Sequence, residues 1–228
     1  MSICVAVVGA GRMGAVVARQ LPKRTQKIII DIDLEKAGRL AEIVAGISSD
    51  SLESAGSSDL VAVVLPTPVV SETVGKLLSV VKEGSIILNM ATTARIDAEV
   101  LKKNKDISII DAKIIGHAMS ISRGEPGIVV IDCNNEHRFN FIKDQLSGFH
   151  KVIQGGASLV EKINKVGSTE GIKAAVTVRK KLMALNIPDE WIDVAIRTVC
   201  AGTMKSYTEN DLGHFALELV KKLERELD

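Results

Sequence analysis

Three glycines near the start of the chain have the types and spacing needed to bind a phosphate. The apolar run Ile3–Val8 leads directly into Gly9, Gly11 and Gly14, and a helical pattern follows. Gly9 permits a tight turn out of a strand, Gly11 leaves room for a pyrophosphate, and Gly14 allows the helix to pack closely on the sheet. The unpaired amides and positive dipole end of that helix favour an anion.

A carboxylate further along extends this prediction from a phosphate to a whole dinucleotide. A second strand pattern, Lys27–Ile30, ends in Asp31, about 20 residues after the glycines, where the acid that binds the adenosine ribose is expected. Its charge would accept hydrogen bonds from both ribose hydroxyls and repel a 2′-phosphate. Ile32 follows it rather than an arginine, so we expect the cofactor to be NAD in preference to NADP.

The composition narrows the classes of partner. The chain has 228 residues, a formal net charge of +1 and 3% aromatic residues, which argues against nucleic acid or an anionic membrane as the partner.

Its three separated cysteines imply no disulfide framework, and no apolar run has the length of a membrane helix. Lacking a secretory pattern at its start, the protein is expected to be cytoplasmic. The histidines have no metal-ligand spacing, so no metal site is predicted.

Strand and helix patterns alternate from the start of the chain to about residue 154. This alternation is typical of an α/β fold with a Rossmann-type, doubly wound and mostly parallel sheet, whose ligands bind at the carboxyl ends of the strands. The predicted strands are 3–8, 27–30, 60–65, 85–89, 107–111, 127–131 and 151–153. The predicted helices are 34–44, 69–80, 96–103 and 136–146, with a connection through Ile47 to a short capped helix at 49–53.

From Ala157 onwards the sequence predicts helices alone, over about residues 157–185, 188–207 and 209–227. We therefore expect a dinucleotide-binding domain of residues 1–155 and an all-α domain of residues 156–228 for substrate binding and dimerisation. A helical region of about 70 residues buries little surface by itself. It is expected to pack on the sheet domain and on a second copy, giving a homodimer.

Short motifs in order along the chain resemble the superfamily of 6-phosphogluconate and 3-hydroxyisobutyrate (β-hydroxyacid) dehydrogenases. Gly9–Gly14 looks like the G-x-G-x-M-G that opens the family, and Asn89–Thr93 lies where the family has a Ser/Thr-bearing substrate loop. Asp111–His117 is similar to D-A-P-V-S-G-G, although Lys113 and His117 replace the proline and the second glycine. Lys162 lies where the catalytic lysine opens the long helix, and Asn210–Leu212 resembles K-D-L. The helical end is similar to members with a short C-terminal domain.

The resemblance implies hydride transfer between a nicotinamide cofactor and a small hydroxy acid, keto acid or imine-type substrate. Thr92 and Thr93 could hydrogen-bond a substrate carboxylate or the nicotinamide ribose, or they could cap the next helix. Lys113 and Arg123 are candidate clamps for a carboxylate or phosphate, or else exposed loop charges. The residues assigned to the cofactor are Gly9, Ala10, Gly11, Arg12, Met13, Gly14, Asp31, Leu65, Pro66, Thr67 and Thr92. Those assigned to the substrate are Thr93, Lys113, Gly116 and Asn164.

Three residues are candidates for the proton transfer that accompanies hydride transfer. A lysine serves in both directions if burial or a nearby cation lowers its pKa. Lys162 has Lys165 about one helical turn away, although both could be solvated helix charges. His117 has a suitable unperturbed pKa, and its alternative role is structural. A non-catalytic NAD-binding sensor or regulatory subunit is the alternative to an enzyme.

Overall fold

The computed structural model describes residues 2–102 and 106–227, so the end of the helix predicted up to residue 103 lies outside it. An eight-stranded sheet has the order β3-β2-β1-β4-β5-β6-β7-β8. Neighbouring strands are parallel except for β6 and β7, which are antiparallel. The predicted doubly wound, mostly parallel sheet is therefore confirmed. Its strands are β1 (Cys4–Val8), β2 (Gln26–Ile30), β3 (Ile47–Ser49), β4 (Leu60–Val63), β5 (Ile86–Asn89), β6 (Ser108–Ile115), β7 (Ile128–Ile131) and β8 (Lys151–Gln154).

Helices connect the strands, and the two faces of the sheet bury separate apolar clusters. Successive side chains of a strand point to opposite faces, so Val5 and Val7 join one cluster while Ala6 and Val8 join the other. Burial on both faces explains why these strands are apolar throughout. The helices are α1 (Arg12–Gln20), α2 (Leu34–Val44), α3 (Thr67–Leu77), α4 (Ala98–Leu101), α5 (Ala118–Ser122) and α6 (Glu136–Gln145), with a 3₁₀ turn at Leu52–Ala55.

The chain divides into two compact units, the first ending at Asn164 and the second starting at Lys165. This boundary lies inside α7 (Ala157–Met183), beyond the expected boundary at residues 155–156. The first turns of α7 belong to the first unit because Ala157 and Val160 are buried there. The second unit continues with α8 (Asp189–Val194), a π-helical turn (Ala195–Cys200), α9 (Ala201–Glu209) and α10 (His214–Leu227). None of the described helices is long and apolar enough to cross a bilayer.

Two local predictions were wrong, and one predicted helix is less regular than expected. Ile47, expected in a connection, starts the short edge strand β3, which pairs with β2. The helix predicted over 188–207 contains the π-helical turn, a feature that leaves no mark in apolar spacing. The last helix starts at His214 rather than near residue 209, because Asn210 adopts a left-handed conformation with φ of 56° and ends the helix before it.

Strand β6 is longer than predicted, and the extra residues shape the site. Residues 108–111 pair with β5, whereas residues 112–115 pair with β7 and extend beyond the end of β5. The sequence prediction ended the strand at Asp111, and polar Asp111 and Lys113 interrupt the apolar run there. In the fold these two side chains lie on the same face of the strand and pair, with Lys113 Nζ 3.2 Å from Asp111 Oδ1.

Candidate functional site

The glycine turn between β1 and α1 has the geometry that its residue types predict. Gly9 has a φ of +108°, and a Cβ on it would lie 2.4 Å from the carbonyl oxygen of Val64. A Cβ on Gly14 would lie 1.8 Å from the carbonyl oxygen of Gly9. Around Gly11, in contrast, no described atom lies within 4 Å of such a Cβ. The turn therefore packs closely on the sheet and leaves open space before the first amides of α1, among Ala10, Arg12 and Met13.

Asp31 is bound to this turn. The half-buried carboxylate lies just beyond β2, where its Oδ2 accepts a hydrogen bond from the Ala10 amide at 2.7 Å. Its Oδ1 accepts from the Asp33 amide at 2.9 Å. Each carboxylate oxygen has a further lone pair, so the group can still accept from ribose hydroxyls. Ile32, the next residue, is 97% exposed.

A second helix begins beside the turn. β4 lies next to β1 in the sheet, and Leu65 and Pro66 lead from it into α3, which starts at Thr67. The hydroxyls of Thr67 and Thr93 share a hydrogen bond of 2.7 Å. Residues predicted separately for the cofactor and for the substrate thus meet at the carboxyl ends of β4 and β5.

The loop after β5, residues 90–94, is anchored from beneath by Lys113. Met90, Ala91 and Ala94 are buried, Thr92 is half-buried and Thr93 is exposed. Lys113 is fully buried, and its Nζ donates to the carbonyl oxygen of Ala91 at 2.6 Å. Burial lowers the pKa of Lys113 below that of an ordinary lysine, while the Asp111 carboxylate opposes this shift. The sequence interpretation of Lys113 as an anion clamp or exposed loop charge does not fit this geometry, because a strand carries it inward.

Two polar contacts hold the first turns of α7 against this edge of the sheet. Arg95, which follows the loop, forms an ion pair of 2.8 Å with Glu161. Asn164 donates through Nδ2 to the carbonyl oxygen of Ile114 at 2.8 Å. That donor group, assigned to the substrate from the sequence, therefore binds the main chain of β6. Lys162, between these two contacts along the helix, is exposed, as is Lys165 in the second unit.

The remaining candidates follow the end of β6. Gly116 has a φ of +146°, a conformation that side chains rarely adopt, and a Cβ there would also lie 2.9 Å from Cδ1 of Ile121, so another residue would be strained. His117 is exposed, immediately precedes α5 and does not cap it through its side chain. Arg123, the first residue after α5, is also exposed.

Residues 4–136 match the family described as the NAD binding domain of 6-phosphogluconate dehydrogenase. The chain belongs to this family. The resemblance stated from the motifs is therefore confirmed. The protein is a dinucleotide-binding member of an oxidoreductase family. No curated protein matches the sequence.

Solved structures share the fold at low sequence identity. A pyrroline-5-carboxylate reductase from Coxiella burnetii is 14% identical with a TM-score of 0.71, over 98% of this chain and 85% of that one. A 3-hydroxyisobutyrate dehydrogenase from Mycobacterium tuberculosis, solved with L-serine, is 19% identical with a TM-score of 0.61, over 86% and 70% of the two chains. An imine reductase variant from Myxococcus stipitatus, in complex with NAD⁺, is 18% identical with a TM-score of 0.58, over 91% and 77%.

Within this member of the family, sequence reasoning missed the polar residues that support the loop from below. Asn89 and Asp111 are paired in register across β5 and β6, and Arg95 is bound to Glu161. One signal was available: Asp111 and Lys113 are opposite charges two residues apart in an otherwise apolar run, a spacing that places both on one face of a strand. Across residues 2–102 and 106–227, no three His, Cys, Asp or Glu residues group as metal ligands would.

The glycine turn generates a prediction with opposite outcomes at two positions. Gly14→Ala forces a Cβ against the main chain of Gly9 and is expected to lower the free energy of unfolding by about 1–3 kcal/mol. Gly11→Ala meets open space and should fold with stability within about 0.5 kcal/mol of wild type. It should still bind NADH at least about tenfold more weakly, because its methyl group occupies the space left for the pyrophosphate.

Urea unfolding and calorimetric titration with NADH measure the two effects separately. Gly171→Ala, also in open space but inside α7, is the matched control: it should leave NADH affinity unchanged and raise the free energy of unfolding by about 0.5–1 kcal/mol, because alanine has the higher helix propensity. Unaltered NADH affinity in Gly11→Ala would contradict the assigned position of the pyrophosphate.

Proposed function

We propose that this protein is an NAD-dependent oxidoreductase that transfers a hydride to or from a small hydroxy acid, keto acid or imine-type substrate, with Lys162 as the acid/base. The observation that carries the proposal is the pair of contacts at the start of α7. The Arg95–Glu161 ion pair and the Asn164–Ile114 hydrogen bond hold the helix segment that contains Lys162 at the edge of the sheet where this proposal puts the dinucleotide. The cited likeness to dehydrogenases and reductases supports this class of chemistry.

In the proposed step the cofactor transfers the hydride and one side chain transfers the proton. When bound, the nicotinamide ring accepts or donates the hydride. In oxidation, the hydroxyl proton of the substrate moves to the neutral amine of Lys162 as the C–H bond breaks, leaving a carbonyl product and an ammonium group. In reduction, the same ammonium returns the proton to the carbonyl oxygen or imine nitrogen. Thr92 and Thr93 would position the nicotinamide ribose and the substrate.

Removal of the acid/base should reduce turnover without preventing cofactor binding. In assays of NADH consumption against a panel of oxo-acids and imines, Lys162→Ala is expected to lower kcat at least about 100-fold. NADH affinity should change little, since the glycine turn and Asp31 remain. Lys173→Ala removes another exposed lysine of α7, paired with Glu170, and should keep wild-type kcat.

Two further variants assign the proton transfer among the remaining candidates. A larger loss of kcat in His117→Ala or Lys165→Ala than in Lys162→Ala would transfer the role to that residue. The exposure of Lys162 favours one alternative function, a non-catalytic NAD-binding sensor. That alternative is supported if NADH binds while no member of the panel is turned over.

The preference for NAD rests on charges around Ile32. Asp31 and Asp33 flank this residue, and Asp33 is bound to Lys36 through an ion pair of 2.8 Å. Hydrogen bonding from Lys36 lowers the pKa of Asp33, which keeps this carboxylate charged, and a second acidic side chain beside Asp31 adds to the repulsion of a 2′-phosphate. Lys36, the nearest cation on α2, is already paired.

Wild-type protein is therefore expected to bind NADH at least about tenfold more tightly than NADPH. Asp31→Ser should narrow this ratio by weakening NADH binding and relieving repulsion of the phosphate. Asp50→Ser removes an exposed carboxylate just beyond β3 and should leave the ratio unchanged. Calorimetric titrations of both nucleotides provide the measurement, and tighter NADPH binding by wild type would contradict the preference.

We also propose that the protein forms a homodimer through its C-terminal helices. The second unit exposes large apolar side chains, among them Leu185, Trp191, Val199 and Phe215, and burying such side chains against a second copy would be favourable. Size exclusion with light scattering at micromolar concentration should give twice the mass of the chain. Trp191→Glu should shift this mass towards the monomer, and a monomeric wild type would contradict the proposal.

A further inference from the structure

The extension of β6 past β5 leaves a space that the loop of residues 90–94 covers. Lys113 lies in this extension, opposite Val130 of β7, and its side chain has 0% exposure. A lysine is almost never buried to this extent unless its ammonium is paired. Its environment therefore has to supply acceptors for three N–H groups.

Two donors and two acceptors alternate in a closed ring of polar contacts. Asn89 Nδ2 donates to Asp111 Oδ1 at 2.7 Å and to the carbonyl oxygen of Ala94 at 3.0 Å. Lys113 Nζ lies 3.2 Å from the same carboxylate oxygen and 3.4 Å from the same carbonyl oxygen. With the 2.6 Å bond to the Ala91 carbonyl oxygen, all three ammonium hydrogens have an acceptor. Two of these acceptors are main-chain groups of the loop.

The ring supports the part of the loop that faces the dinucleotide site. Thr92 and Thr93 lie between the two anchored carbonyl groups, and Thr93 bonds to Thr67 at the start of α3. Arg95, the next residue after Ala94, holds Glu161 of α7. A change in the loop would therefore reach both the predicted nicotinamide side of the site and the helix that contains Lys162.

We propose that Lys113, as an ammonium ion, is a positioning residue that holds the loop of residues 90–94 in the conformation that receives the nicotinamide half of the cofactor. This role rests on the proposed function, since it presumes that a dinucleotide binds at this edge. Lys113 touches neither cofactor nor substrate: it acts through the carbonyl groups of Ala91 and Ala94. A neutral amine would have only two hydrogens for the three acceptors and would leave Asp111 without its cation.

The pH dependence of this role has a definite sign. The charges that face Lys113 are Asp111 on its own strand, Glu161 on α7 and Arg95 after the loop; the two carboxylates raise its pKa and Arg95 lowers it, but burial dominates and the pKa is lowered from 10.5. As pH rises through this lowered pKa, the loop loses its anchor. Over the same window, up to the ordinary lysine value, the contribution of Lys113 to the free energy of unfolding increases, because the folded state no longer buries a charge.

The test compares two ligands that differ in the nicotinamide half. ADP-ribose occupies the adenine side alone, whereas NADH also requires the loop. In Lys113→Met the Kd for NADH is expected to rise about tenfold, as loss of a charged hydrogen bond predicts, while the Kd for ADP-ribose stays within about twofold. Lys27→Met is the matched control: Lys27 is also buried, donates to the carbonyl oxygens of Pro22 and Thr25, and has a pKa lowered by burial, but lies near the start of β2. It should change neither Kd.

A pH series on wild type keeps the test informative even if Lys113→Met does not fold. The ratio of the NADH Kd to the ADP-ribose Kd should rise between pH 7 and 10.5 in wild type and in Lys27→Met, and stay flat in Lys113→Met. A flat ratio in wild type, or an unchanged ratio in folded Lys113→Met, would overturn the role of Lys113 alone. Failure of wild type to bind either ligand would overturn the proposed function and this role with it.

Discussion

The first helix can approach the first strand closely because Gly14 has no side chain, and the nucleotide site depends on that approach. A Cβ there would lie 1.8 Å from the carbonyl oxygen of Gly9, so any other residue would push α1 away from the sheet. With the helix in place, its unpaired amides face the open space around Gly11. The Ala10 amide donates a hydrogen bond to Asp31, which joins the glycine turn to the carboxylate that follows β2.

A second constraint comes from the unequal lengths of β5 and β6. Because β6 extends past its neighbour, the loop after β5 covers a strand face instead of pairing in the sheet. An unpaired polar group in such a space is costly. Most of the polar groups there are paired with one another, in the ring of Asn89, Asp111, Lys113 and Ala94. The Oδ1 atom of Asn89 is buried without a hydrogen-bond partner among the described residues, so one polar atom beside this ring stays unpaired.

The parts of the fold that sequence reasoning predicted well are those specified by local chemistry. Helix α2 spans Leu34–Val44 as predicted, and its start is fixed by Asp33, whose carboxylate accepts from the Lys36 amide. The predicted β6 was too short, since charged Asp111 and Lys113 are typical of a loop when their partners are unknown. Local spacing also gave no sign of the hydrogen bond from the Asn164 amide to a main-chain carbonyl that is distant in sequence.

The sequence by itself determined the dinucleotide turn, the position of Asp31 and the alternation of strands and helices, because each follows from spacing between near neighbours and from apolar periodicity. Only the tertiary structure decided where the polar side chains of β5, β6 and α7 point. Lys113 is 22 residues from Ala91, and Arg95 is 66 residues from Glu161. Strand pairing and helix packing bring such groups together, and the spacing of residues along the sequence does not predict these contacts. The buried charge beneath the loop is therefore a property of the fold.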